Sequence, residues 1–442
     1  MTGGRAAINK RITIIRRSVA VWYGSYAILG AVTAALVPVL LPLMIRTLSH
    51  RLSDVGWVMG VYNLGILTSP FWGSLADKKH IHRSIFFGGF MILLMGLVAI
   101  PFGKFLPEWL GMAFVIGAGT AAIATVASLF VVEFNPQNEW ASRIGWLQSF
   151  NGFGQTIGLL LAAVFSGREA FSGGLWTGAA LLVPAIILGH FGLPTQKPGG
   201  IKKHQLRHLD FHKLAKFRRI EFLGGGIFRH SHRLNLAAIR NIGKLIPTAF
   251  GYFILSWFIM AFGVAAFFAY FPLAMKSAYD VAPGVTSLVY AVAGGAGIIL
   301  YTASTSLSAR FGVVKVYRWG LLLRLVGFCM LLALIFIHFP DRAIVASVAF
   351  ALIILSWPIL SVTGTTITAD ITPVSEGEAM GLFNASAAVG TVLGTFLGGP
   401  LVLYLGYLAL SITGVAGVAI SLILAYFMAV PAQSGDSVPT QE

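Results

Sequence analysis

Asp77-Lys78 followed by Arg83, Glu133 ahead of Arg143, and Asp370 downstream of Arg310 and Lys315 bring acids and bases near one another between long uncharged runs. Carboxylates and cations placed this way can form ion pairs that exist in one arrangement of a molecule and break in another. A second group is neutral: Asn63, Gln148, Asn151, Gln155 and Asn384, with Tyr252, Trp257 and Trp357, all inside apolar stretches. They offer hydrogen bonds and ring faces to an uncharged or amphipathic molecule, and Asn151 and Gln155, four residues apart, share one helix face. His204, His208 and His212 stand at i, i+4 and i+8. That spacing suits metal ligation, but no acid or cysteine completes a set, so no metal is expected. Gly-x-Ser-x-Gly, His-Glu-x-x-His and Walker-type phosphate loops do not occur, so neither an enzyme nor an ATP-driven pump is expected, and no cofactor. Cys329 is the only cysteine, so no disulfide framework exists.

The elements that carry these residues are apolar to a degree no water-soluble chain sustains. Of 442 residues 57% are hydrophobic and only 10% charged, against roughly 25% charged in an ordinary soluble domain. Residues 18–45 and 84–102 hold no Asp, Glu, Lys or Arg. Each is long enough for the roughly 20 residues that cross a hydrocarbon layer as a helix, the structure that satisfies its own backbone there. Twelve spans are expected: 18–45, 56–76, 84–102, 109–132, 144–166, 175–194, 249–273, 284–305, 318–338, 344–369, 381–403 and 405–430. The first is too long for a signal peptide and lacks a small-residue cleavage site, so it is read as a retained span. With the N-terminus in the cytoplasm, 25 of the 31 Lys and Arg fall on the cytoplasmic side and 6 on the other, which satisfies the positive-inside rule with both termini inside. The organisation expected is a cytoplasmic tail (1–17), a six-helix half (18–194), a basic cytoplasmic loop (195–248), a second six-helix half (249–430) and a cytoplasmic tail (431–442).

The net charge of +16 is placed for a membrane surface rather than for nucleic acid. The loop 195–248 carries twelve Lys and Arg against Asp210 and Glu221. Leu206, Leu209, Leu214, Phe217 and Ile220 fall on one side of its helical wheel, so a basic amphipathic helix contacting anionic lipid headgroups is expected. The alternative is a solvated linker.

The two halves repeat. Glu133 and Pro136 correspond to Asp370 and Pro373; Gly145, Gly154 and Gly158 correspond to Gly381, Gly390 and Gly394; Leu75, Lys78 and Arg83 correspond to Leu307, Arg310 and Lys315. The offset stays between 232 and 237 throughout, the sign of a parallel repeat with its solute site between the halves. Glycines at i and i+4 let helices approach closely.

Gly73-Ser74-Leu75-Ala76-Asp77-Lys78, with Arg83 beyond it, resembles the signature of the major facilitator superfamily between helices 2 and 3, Gly-x-Leu-Ala-Asp-Arg-x-Gly followed by basic residues. His80 stands where the family has its second glycine. The second-half copy, Thr305 to Gly312, keeps Leu307, Arg310 and Gly312 and loses the aspartate. The resemblance covers nearly the whole chain. It implies an all-α fold of twelve transmembrane helices, with Gly73, Leu75, Asp77, Lys78, Arg83, Glu133, Arg310 and Asp370 in a cytoplasmic gate. It further implies alternating access, with Tyr252, Trp257 and Trp357 on cavity-lining helices 7 and 10. The glycines of helix 5 are similar to a motif of antiporter members, although Leu159 replaces its proline and Ala162-Ala163 its final glycine pair. Gly117-Ala118-Gly119 is similar to a stretch of drug:proton antiporters, but Ala113 stands where they have arginine. No Asp or Glu falls near the middle of a span, which argues against proton coupling through a central carboxylate. Arg324 either faces the cavity and binds an anion or snorkels to the basic cytoplasmic surface, and snorkelling is the favoured expectation. The expected function is export of a small organic solute by a monomeric secondary transporter in the cell membrane, with a coupling ion as a further partner. The alternatives are facilitated uptake of a neutral nutrient and a non-transporting membrane scaffold or sensor.

Overall fold

The computed structural model describes residues 20–79, 81–136, 139–193, 248–337, 340–371, 373 and 376–428. The basic loop with its histidines and amphipathic stretch lies outside them. The helices are α1 (Tyr23–Ser49), α2 in two segments (Leu52–Ile66 and Ser69–Lys79), α3 (His82–Ala99), α4 (Leu106–Phe134), α5 (Trp140–Gly167) and α6 (Phe171–Gly192). The second half holds α7 (Ala249–Tyr279), α8 (Pro283–Phe311), α9 (Val313–Phe336), α10 (Arg342–Asp370), α11 (Glu376–Leu405) and α12 (Leu408–Tyr426). No strand occurs among the described residues.

Eleven of these helices are individually long and apolar enough to cross a membrane. The exception is α2, and Pro70 is the reason. Proline has no N–H to give the carbonyl four residues back, so the helix yields at Leu67-Thr68 and restarts at Ser69. Side chains cover the gap: Thr68 Oγ1 donates to the Gly65 carbonyl (2.7 Å), Trp72 Nε1 donates to Thr68 Oγ1 (3.0 Å), and Ser69 shares a hydrogen bond with Thr125 of α4 (2.7 Å).

A comparable irregularity sits in α1, where Val32–Leu36 forms one π-helical turn. The Val37 N–H bonds to the Val32 carbonyl, one residue further back than in an α-helix. Thr33 therefore loses its α-helical donor, and Pro38 has no N–H to give either Thr33 or Ala34. Two neighbouring helices supply the missing donors: Tyr62 Oη reaches the Thr33 carbonyl and Gln155 Nε2 the Ala34 carbonyl, each at 3.2 Å. Without them two peptide groups would sit unpaired in a region that has no water to solvate them.

Packing repeats between the halves. In the first, α1 packs on α5 and α6, α4 on α2 and α3, and α3 on α6; in the second, α7 packs on α11 and α12, α10 on α8 and α9, and α9 on α12. The halves meet along α2–α11 and α5–α8. Glycines set the tightest contacts. A Cβ on Gly154 or Gly158 would strike the α1 backbone at Ala27 and Ala31, and one on Gly390 or Gly394 would strike the α7 backbone at Phe258 and Phe262. Gly145 is buried and Gly381 partly buried on the same two helices.

Candidate functional site

The contacts that join the halves cluster at one end. Gly56 of α2 lies against Gly399 of α11, where an added Cβ would come within 2.8 Å of the Gly399 backbone, and Gly60 lies against Phe396. Tyr270 Oη of α7 donates to the Leu52 carbonyl (2.8 Å), and Asn63 Nδ2 donates to Thr395 Oγ1 (3.4 Å). Across the other seam Gly284 abuts Ala163, and Lys276 pairs with Glu169 at 3.0 Å. Asp54 is buried beside this closure, within hydrogen-bond distance of Ser53. Sequence reasoning assigned Asp54 no role because it lies just outside the expected second span.

At the opposite end the described charges pair within their own half. Arg83 donates to the His190 carbonyl of α6 (3.1 Å) and stacks on Phe87. Glu133 has His82 Nδ1 at 3.4 Å. Arg143 pairs with Glu139 at 2.8 Å. Arg318 donates twice to the Ala425 carbonyl, and Arg310 and Lys315 lie over Phe311 and Trp319. Asp370 ends α10 and is exposed. Gly73 and Leu75 lie on the second segment of α2, with Gly73 facing Thr125 and Leu75 packed on the core. The backbone of Asp77 and Lys78 continues that helix, and their side chains lie outside the described residues.

The neutral residues divide. Asn151 and Gln155 donate to the Tyr26 and Ala34 carbonyls of α1 (3.4 and 3.2 Å), so their donors are occupied within the first half. The Gln148 side-chain oxygen is buried with no hydrogen-bond partner. Asn63 bridges to α11 as described. Tyr252 sits one turn into α7 against Phe427 and does not join the deeper aromatic residues. Asn384 is partly buried on α11.

The deep aromatics form one cluster in the second half. Trp257 of α7 stacks on Trp357 of α10 (6.0 Å, 26°) and on Phe383 of α11 (4.6 Å, 27°). Phe253 stacks on Phe383 in turn, and Tyr317 of α9 meets both Phe253 and Trp257. Arg324 belongs to this cluster, which overturns the expectation that it snorkels. Helix α9 begins at Val313, five residues before the expected span, so Arg324 stands about three turns in, at mid-helix. Its side chain is only 2% exposed. Nε donates to Ser356 Oγ (2.8 Å), Nη1 approaches the Met260 sulfur (3.7 Å), and the guanidinium lies 5.4 Å from the centre of the Trp357 ring. Inserting an arginine at mid-helix costs about 2.5–3.5 kcal/mol on insertion scales, so one kept there has a use. Its residue type was plain in the sequence; its neighbours came from two other helices, α7 and α10, and were not.

The architecture is that of two related helical bundles closed over one end of a central seam. The sequence profile of the Major Facilitator Superfamily matches residues 22–357 and, a second time, residues 253–442. The chain belongs to the Major Facilitator Superfamily. Its fold is shared with solved transporters of low sequence similarity. A nucleoside transporter, NupG, superposes with a TM-score of 0.67 at 13% identity, over 92% of this chain and 96% of that one. A D-xylose-proton symporter superposes at 0.64 and 14% identity, over 91% and 95%. No curated protein matches the sequence. A superfamily member with this architecture is a multi-pass membrane transporter of small solutes and not an enzyme.

Proposed function

We propose that the chain exports a small organic solute across the cell membrane by alternating access, with both termini in the cytoplasm. The closure of one end carries this reading. Glycine-tight contacts and the Lys276–Glu169 pair hold the halves together where the loops carry few cations, while the charges at the basic end pair within each half. With the basic end in the cytoplasm, this is the inward-facing state. In the outward-facing state the second segment of α2, with Asp77 and Lys78, approaches the second half near Arg310 and Asp370, the gate that the repeat suggests. Export is favoured by the likeness of the α5 glycines to those of antiporter members. The chain works as a monomer, and its basic loop rests on anionic headgroups.

Reconstitution into proteoliposomes tests the reading. Solute flux that depends on the protein and runs from the basic-loop side outward is expected, and an imposed pH gradient reports whether protons are coupled. Absence of flux for every solute that stabilises the purified protein would leave a non-transporting scaffold. Facilitated uptake of a neutral nutrient is the second reading, in keeping with the nucleoside and the xylose named for the structural neighbours; flux of such a solute in the opposite direction selects it.

A further inference from the structure

We propose that the solute is an amphipathic organic monoanion whose acid group is held by Arg324 and the indole N–H of Trp257, with its apolar body against Trp357. This rests on the transport reading above and names the substrate class of that site. The argument begins with charge balance. Arginine keeps its proton in a protein, so the group at mid-α9 is a permanent cation. Among the described residues no Asp or Glu falls near the middle of a helix, and the five between residues 249 and 430 (Asp280, Asp341, Asp370, Glu376 and Glu378) all stand at or near helix ends. A guanidinium has five N–H donors. Among the described residues one goes to the Ser356 hydroxyl and one to a thioether, a weak acceptor. Ser356 gives its own proton to the Ile353 carbonyl, so it offers Arg324 a lone pair but no charge. The cluster is rich in donors and has no anion.

Trp257 carries the second, independent observation. Its ring is 2% exposed and stacked on two other rings, yet its Nε1–H is buried with no acceptor. Both Arg324 and Trp257 are tied to Trp357, one through a cation–π contact and one through stacking. Trp357 itself is only partly buried, so part of its surface remains accessible at the edge of the cluster. Two unsatisfied donors, one of them charged, call for an acceptor with one negative charge, and the ring faces call for a flat apolar body. A multivalent anion would leave charge without a partner.

The experiment uses the full chain purified in detergent. Benzoate, salicylate and indole-3-acetate are compared with their uncharged amides by thermal shift and by displacement of radiolabelled indole-3-acetate. The acids should bind at least tenfold more tightly than the amides, and Arg324→Gln should remove that preference. Arg324→Gln should also melt no lower than the wild type in the absence of solute, because it removes a cation that has no anion. A guanidinium serving only to tie helices together would give a lower midpoint. Trp257→Phe keeps the stack and lacks the N–H, so it should weaken the acids severalfold and leave the amides unchanged. The proposal falls if no acid binds, if amides bind as well as acids, or if both variants keep the wild-type preference. Proteoliposome flux separates the two readings. Movement of uridine or xylose without any of the acids refutes anion recognition alone, and acid binding with no flux of any solute refutes transport alone.

Discussion

Gln155 and Tyr62 illustrate how a polar side chain in a membrane span can serve the backbone. Each gives its donor to a carbonyl left unpaired by the π turn and Pro38 of α1. Removing either donor strands a buried acceptor, at a cost of about 1–3 kcal/mol. Gln155→Leu and Tyr62→Phe should therefore lower the thermal midpoint while the α1–α5 contact persists. Pro38→Ala returns an N–H to α1, so in a double-mutant cycle it should reduce the cost of Gln155→Leu; strictly additive midpoints would refute that account. The sequence offered Gln155 as a polar residue on a helical face. The role of that face depended on an irregular turn 121 residues away, which no periodicity encodes.

At the scale of the helix, the small residues divide into those under backbone and those facing open space. Gly158 and Gly394 lie directly under α1 and α7, whereas a Cβ on Gly88 or Gly294 would meet nothing within 4 Å. Gly158→Val and Gly394→Val should sharply reduce monodisperse protein in size-exclusion profiles, since overpacking typically costs 1–3 kcal/mol or more. Gly88→Ala and Gly294→Ala should be neutral or gain about 0.5–1 kcal/mol from helix propensity. Equal yields for the two pairs would mean that close approach is not what these glycines provide. Helix number and position were legible because charge-free runs of spanning length leave little choice. The yield at Pro70 was chemically legible too, but an averaged hydropathy reading smooths it into one continuous span. Arg324 was misread for a related reason: α9 starts five residues earlier than its most apolar stretch, which moves the residue from the end region to the middle.

For the molecule as a whole, the closed end is held by few elements, so one covalent tie there should stop the cycle. With Cys329 replaced, Lys276→Cys and Glu169→Cys place thiols on either side of the seam that the ion pair now spans, for a reducible bis-methanethiosulfonate cross-linker of that reach. Cross-linking should arrest solute flux, and reduction should restore it. Undiminished flux in the cross-linked protein would mean that this seam does not open during transport. At the other end, Asp77→Asn keeps the shape of the side chain and removes its charge. It should shift the population toward the inward-facing state and slow turnover more than it weakens binding, as distance measurements across the cytoplasmic mouth can report. About 1.4 kcal/mol is enough to change such a ratio tenfold.

The position of Arg324 has an electrical consequence. A cation fixed at mid-helix lies within the membrane's electric field, and the field drops mainly across whichever side of the protein is sealed. When the closed end alternates, the potential at the guanidinium changes although the residue scarcely moves. One elementary charge carried through the full field is worth about 2.3 kcal/mol per 100 mV, and part of that acts here. The empty carrier therefore switches with a voltage dependence. A carrier loaded with a monoanion is locally neutral and switches without it. Rapid solution exchange on a supported membrane should register a small transient current from the empty protein that shrinks on loading and is missing in Arg324→Gln.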